Sequence, residues 1–258
     1  MFTIAYPLFE RGRILKKELL FALRDYSFGL AKLHFSDYTS GIIAGCGMSV
    51  SGEKLSISPG ILKFNRFVYV ITEPKEVYYE PTEQTIAMKI RFSTTSAVTV
   101  DYVDYSGKLV LDSNTELGTN ELEVCRFKLK RGSRLRCDYT GFEDIETEFD
   151  TVNLAHATWA GIGEPGISLP VLRMFAKEAL ECRLDQPWDI MFSSQCMYAE
   201  TVHRRVIGAY LMSHDMNYTG KETNIEIYSM LAEILNILKG NAIKPRSPGR
   251  GRHVIEVD

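Results

Sequence analysis

Five histidines and five cysteines are the residues from which nucleophilic or metal chemistry would be assembled in this chain. A thiol hydrolase needs a thiolate beside an imidazole, with a third group orienting the ring. His156 or His203 with Cys182 or Cys196 supplies those residue types. No local motif joins them, and both cysteines fall in apolar helical patterns, where a free thiol behaves as a small hydrophobe. A metal ion needs several ligands at helical or hairpin spacing. His203 and His214 are three helical turns apart, too far to share one ion, and His214-Asp215 reads as a capping pair at a helix end. No catalytic residue, cofactor-binding residue or metal ligand is therefore assigned, and the protein is read as a non-enzyme that needs no cofactor.

Three other stretches carry charge or unusual backbone. Glu143–Glu148 is acidic but lacks the spacing of a calcium loop, so it reads as a solvated face between domains. Lys128–Arg136 is basic and alternates with Leu129 and Leu135, which suits an exposed strand edge. No aromatic ladder for stacked bases accompanies it, so nucleic acid is not the expected partner. The two runs are complementary in charge, within one chain or between copies. Trp159-Ala160-Gly161-Ile162-Gly163-Glu164-Pro165-Gly166 reads as a domain-joining turn anchored by Trp159. It precedes a helix, so weak anion binding by its amides is a second reading.

The elements that position these residues change character near residue 150. Arg13–Tyr26 has helical spacing. Gly41–Val70 is punctuated by glycines, with Met48–Val50, Leu55–Ile57 and Phe67–Val70 as strand pieces and Asn65-Arg66 as a turn. Pro74 and Pro81 frame a linker. Strands follow at Thr85–Phe92, at Ala97–Tyr105 and Lys108–Leu111 around a Ser106-Gly107 turn, at Glu121–Leu129 and at Ser133–Tyr139. Helices are expected at Leu169–Cys182, capped by Ser168, at Ile190–Tyr198 after the breaker Gln186–Asp189, at Glu200–Met212, and at Thr223–Leu238. The last carries a Thr223/Glu226 capping box and a Gly240 stop. The fold class is α+β: an N-terminal antiparallel β sandwich or barrel with a short leading helix, then a C-terminal helical domain of about four helices. The expected divisions are an N-terminal segment 1–40, a β-rich domain 41–150, a helical domain 151–240 and a basic Pro/Gly-rich tail 241–258.

Composition narrows the class further. With 258 residues, 45% of them hydrophobic, the chain can bury a sizeable core. A net charge of -3 gives no bulk pull toward nucleic acid or anionic membrane. No apolar run reaches the roughly 20 residues of a membrane span, and the N-terminus lacks the pattern of a signal peptide. An odd number of cysteines without a Cys-x-x-Cys pair fits free thiols and assembly in a reducing cytoplasm.

Gly41–Gly45, Met48–Gly52, Leu55–Gly60 and Asn65–Tyr69 together resemble the "G-V-x-x-G, strand, S-P-G, strand, N-G" module of phage tail-fibre and baseplate proteins. Arg66 stands where that module has its last glycine. The stretch Asn153–Tyr210 is similar to small proteins of the tail clusters of Gram-positive phages and phage-tail-like bacteriocins. The resemblance implies a structural subunit of a contractile or siphophage-like tail, joining fibre or wedge proteins to the baseplate. It implies other tail subunits as partners, several copies in a symmetric assembly, and incorporation into a particle after synthesis in a bacterial cytoplasm. Tyr78, Tyr79, Trp159 and Trp188 are the candidate interface anchors, and Arg246, Arg250 and Arg252 are candidates in a tail suited to lying on a neighbour. A carbohydrate-binding module using Tyr78 and Tyr79, and an unrecognised Cys/His hydrolase, are the alternatives.

Overall fold

The computed structural model describes residues 7–241. The interface candidates Arg246, Arg250 and Arg252 lie outside them. The protein is α+β, with eleven strands and five α-helices among the described residues. Helix α1 spans Lys17–His34. The strands are β1 Gly41–Gly45, β2 Met48–Ser51, β3 Lys54–Ile57, β4 Gly60–Phe64, β5 Phe67–Ile71, β6 Lys75–Tyr78, β7 Thr85–Phe92, β8 Ala97–Val98, β9 Val103–Asp104, β10 Gly107–Asp112 and β11 Glu121–Lys128. A 3-10 turn at Phe142–Glu146 leads to α2 Leu169–Glu181, α3 Pro187–Tyr198, α4 Arg204–Ser213 and α5 Asn224–Asn241.

The β region consists of small antiparallel sheets in the orders β1-β4-β5, β2-β3-β6 and β10-β7-β11, with β8-β9 as a separate hairpin. The Gly41–Val70 segment thus feeds two sheets at once. Its glycines permit the crossing. The strand partners Gly45 and Gly60 face each other, Gly45 with a left-handed φ of 68°. A Cβ on Gly60 would sit 2.5 Å from the amide nitrogen of Cys46 and 2.6 Å from the Ala44 carbonyl oxygen. The β4–β5 turn answers the Arg66 departure. Of its two turn residues only Asn65 has positive φ (53°), so the second position has no need of glycine.

Several elements differ from their sequence reading, each for a physical reason. Helix α1 starts later than Arg13 and runs on to His34, because Gly29 interrupts its pattern without breaking the helix. The supposed linker at residues 75–78 is strand β6, paired to β3. Ser106-Gly107 is no hairpin turn: Gly107 opens β10, which pairs with β7, and the tight turn lies at Thr99–Tyr102. Ser133–Tyr139 makes only an isolated bridge, Arg136 to Thr151. The breaker Gln186–Asp189 contains the start of α3, since proline is tolerated at a first helical position. Helix α4 begins at Arg204 because His203 caps it, its Nδ1 accepting the Arg205 N–H. Ser168 occupies the N-cap of α2 without a side-chain capping bond. The capping box at α5 forms as expected, Glu226 accepting from the Thr223 N–H and hydroxyl, but the helix passes through Gly240.

Strand β7 is central and buried on both faces. Ile86, Met88, Ile90 and Phe92 enter the apolar cluster. On the other face the Lys89 ammonium, almost fully buried, reaches the Glu116 carbonyl at 2.6 Å and the Glu121 carboxylate at 3.1 Å. A bulge between Glu123 and Cys125 in β11 switches its alternation, which is why Phe127 rather than Arg126 points into the core.

One contiguous apolar cluster runs through both halves, from Ile42 to Leu238. The 3-10 turn wedges between them. Phe142 stacks on Tyr228 of α5 at 4.6 Å and packs edge-on against Phe175 of α2. The acidic run that contains this turn is therefore structural: Ile145 is buried and Asp144 pairs with Arg136. We expect Gly60→Ala to destabilise the fold by about 2 kcal/mol or more, because backbone on two sides must move. Chemical denaturation of the variant against wild type checks this.

Candidate functional site, an exposed assembly surface

The residue types that could do chemistry are spent inside the fold. Cys196 is fully buried and its thiol is pushed up to about 12 by burial, so it is protonated rather than nucleophilic. Cys182, the C-cap of α2, donates its thiol hydrogen to the Glu178 carbonyl in the last turn of that helix. His203 is a helix cap. The expected His214-Asp215 capping pair does not form as such; His214 ends α4 and its Nε2 lies 2.7 Å from Oδ1 of the buried Asp189, which also accepts from Tyr210 at 2.9 Å. His156 sits by the Arg126–Glu123 pair, and burial, then the Arg126 charge, hold its pKa down to about 4. No group of three or more metal-ligating side chains occurs among the described residues.

The glycine-rich loop is likewise committed. The Gly161 N–H donates to Thr39 Oγ1, Gly163 N–H to the Asp37 carbonyl and Gly166 N–H to the Trp159 carbonyl. Its amides serve the chain's own acceptors, which removes the basis for anion binding. A cleft of about 790 Å³ lies between the 3-10 turn, α2 and Lys239. Two of its charged side chains are held in ion pairs, Lys239 with Glu178 at 2.7 Å and Asp144 with Arg136 at 2.7 Å.

What remains unsatisfied is apolar surface. Helix α1 buries no side chain against the described residues, yet Leu20, Phe21, Leu23, Tyr26, Phe28, Leu30 and Leu33 are all exposed. A helix that is apolar over most of its circumference belongs in a core. Its attachment is at one end. The Lys63 ammonium, on β4, donates to the carbonyls of Phe35 and Ser36 at 2.7 and 2.9 Å and to that of Tyr38. A cation on the last carbonyls of a helix complements its dipole. Thr39 then bonds the Gly161 carbonyl, so the helix springs from the joint between the first sheet and the glycine loop.

Two further elements are exposed in the same way. Trp188, Met191 and Tyr198 lie on the outer side of α3, Trp188 at 59% and Tyr198 at 88% exposure. The β8–β9 hairpin presents Val98, Val100, Tyr102 and Val103. Of the anticipated anchors, Trp188 and Tyr78 are exposed, the latter at 71% with the Lys54 ammonium over its ring. Tyr79 and Trp159 are interior. The Tyr79 hydroxyl donates to the Gly52 carbonyl, and Trp159 bridges to Ile42 and Gly166, so both serve the chain's own packing. Helix α1 was missed in the sequence as a surface, and of the outer side of α3 only Trp188 was anticipated; the signal for α1 was apolar residues on too many sides of one helix.

The arrangement defines an α+β protein whose buried charges are paired internally and whose exposed surface displays large apolar residues. No helix among the described residues is long and apolar enough to cross a membrane. No family model matches the chain, and no curated protein matches it. Among solved structures it is similar to the crystal structure of TssK, at 10% identity and a TM-score of 0.40, covering 92% of this chain and 69% of that one. It is also similar to a chain of the baseplate complex from the type VI secretion system, at 11% identity and a TM-score of 0.33, covering 92% of this chain and all of that one. Likeness at that level assigns neither fold nor function.

Two outcomes are expected. Lys63→Met removes the donor of three part-buried hydrogen bonds and should lower stability by about 2 kcal/mol, with faster limited proteolysis between residues 17 and 38. His156 is held below its ordinary value of 6.5, so its stabilisation is present above that pH and is lost as pH falls toward 4, of order 2 kcal/mol for a partly covered ring. His156→Gln should lose less stability than wild type across that window, as measured by denaturant titration at each pH.

Proposed function

We propose that the chain is a non-enzymatic structural subunit of a phage-like tail baseplate that joins fibre or wedge proteins to it. The observation that carries this reading is α1, an apolar helix held at one end and left uncovered by the described residues. Such surface belongs at a permanent interface, where obligate contacts are larger and more apolar than transient ones. The baseplate-like module Gly41–Val70 supports the particular assembly.

The partners are other baseplate or fibre subunits, without nucleic acid and without membrane insertion. The protein is made in a bacterial cytoplasm and then incorporated into the particle. Trp188 and Tyr78 remain interface anchors, joined by Met191 and Tyr198, with Arg246, Arg250 and Arg252 laid on a neighbour. The helical half and the β half act as two modules, each serving different neighbours. A carbohydrate-binding role is the weaker reading, because Tyr79 is interior and Lys54 occupies a face of Tyr78.

Purified tail or tail-like particles from the producing cells should contain this chain in stoichiometric amount by mass spectrometry; its absence would sink the reading. A Trp188→Ala and Tyr198→Ala double variant should fold with an unchanged melting temperature, since both side chains are exposed. Its recovery in particles should fall at least tenfold.

A further inference from the structure

Leu19, Leu23, Tyr26, Leu30 and Leu33 recur along α1 at alternating spacings of four and three residues. That is the spacing of a coiled-coil seam, which keeps one stripe facing a partner helix. All but the half-buried Leu19 are exposed, Leu33 at 75%. The charged residues Lys17, Glu18, Arg24, Asp25 and Lys32 fall on the opposite side of the helix. Beside the seam stand Ala22 and Gly29 on one flank and Leu20, Ser27 and His34 on the other.

We infer that α1 packs against α1 of further copies of this chain, in a closed homo-oligomer of at least three. Three features select a copy of itself as the occupant. The stripe is self-complementary, as an interface about a symmetry axis requires. Its flanks carry no carboxylate, lysine or arginine, so nothing there repels a second copy or demands an oppositely charged partner. The area is enough: at roughly 200 Å² per large side chain, the exposed parts of Leu20, Leu23, Tyr26, Leu30 and Leu33 amount to about 600 Å² per chain, the lower bound for one side of a specific interface.

The number of copies follows from the width of the apolar surface. A two-stranded coil covers chiefly its seam, and two heptads alone are marginal in length. Here the flanking positions Leu20, Ala22 and Gly29 are apolar or small as well, so each helix has room for two neighbours. Phe21 and Phe28, on the charged side, lie outside such a bundle. The clamp by Lys63 sets where the bundle leaves the body, with each copy holding the C-cap and the turn just after its own helix.

The test is the mass of the full chain in solution at low micromolar concentration, by light scattering and native mass spectrometry. The wild type should run at three or more times 29.3 kDa, and Leu23→Glu with Leu30→Glu should reduce it to a single 29.3 kDa chain. That variant should keep its circular dichroism and melting behaviour apart from the concentration dependence that an oligomer confers. Arg24→Glu with Lys32→Glu, on the other side, should leave the mass unchanged. A wild-type monomer or dimer would overturn the inference, as would an oligomer that survives the seam variant. Flotation of a monomeric wild type with phosphatidylserine vesicles would also overturn it, since a lipid surface would then be the cover for α1. Failure here is distinct from failure of the baseplate role, which is decided by particle content rather than by mass in solution.

Discussion

The pairing of residues 151–166 against two strands at once is the constraint on which the rest of the molecule depends. Arg126 of β11 and Asn153 exchange both backbone hydrogen bonds, and Thr158 donates to the Glu123 carbonyl. On the other side the Ile42 N–H donates to the Thr158 carbonyl, and the Ala160 N–H returns to Ile42. One extended segment therefore ties the first sheet to the third before the chain turns into α2. The approach is so close that a Cβ on Gly41 would run into the backbone of Trp159 and Ala160. Because buried backbone groups must be paired, this stitching holds one register. The single core that follows places the helices against the 3-10 turn.

The same economy explains the character of the surface. Lys89 and Glu121 lie buried against each other; the Gly118 N–H, then Arg91 and Lys89, hold Glu121 down to about 2. Asp189, Tyr210 and His214 clamp α3 to α4. Buried charges and hydroxyls of this kind are tolerable only when paired, and pairing removes them from chemistry. Apolar side chains face no such demand. Leucines and aromatics on α1, α3 and the β8–β9 hairpin stand in solvent, where each loses the free energy that cover by a partner would return. A protein that pairs its buried charges internally and leaves this much apolar surface in solvent gains stability chiefly by association.

Much of the framework was legible along the chain. The alternation of Thr85–Phe92 marked a strand, the spacing of Leu169–Cys182 marked α2 to within a residue, and Thr223 with Glu226 marked the start of α5. The errors fell where a local signal has two meanings. Pro187 breaks a helix in its interior and begins one at its first position. Ser106-Gly107 has hairpin composition, yet the pairing of β10 with β7 overrode it. Adjacent tyrosines at 78 and 79 look alike in sequence, but alternation along an extended chain sends one outward and the other inward.

The surface that invites partners was the least legible part. Its residues are ordinary core residues by type, and a stripe of leucines implies burial against something without saying whether that something is the same chain. The amino-acid sequence by itself determined the α+β class, the glycine-punctuated strands, the helix spacings and the lack of a local catalytic motif. These are set by periodicity and backbone chemistry over a few residues. Only the tertiary structure decided that Trp159 and Tyr79 face inward, that Lys63 fastens the end of α1, and that the described residues leave α1 without cover. Those depend on contacts between residues distant in the chain, and no local pattern contains them.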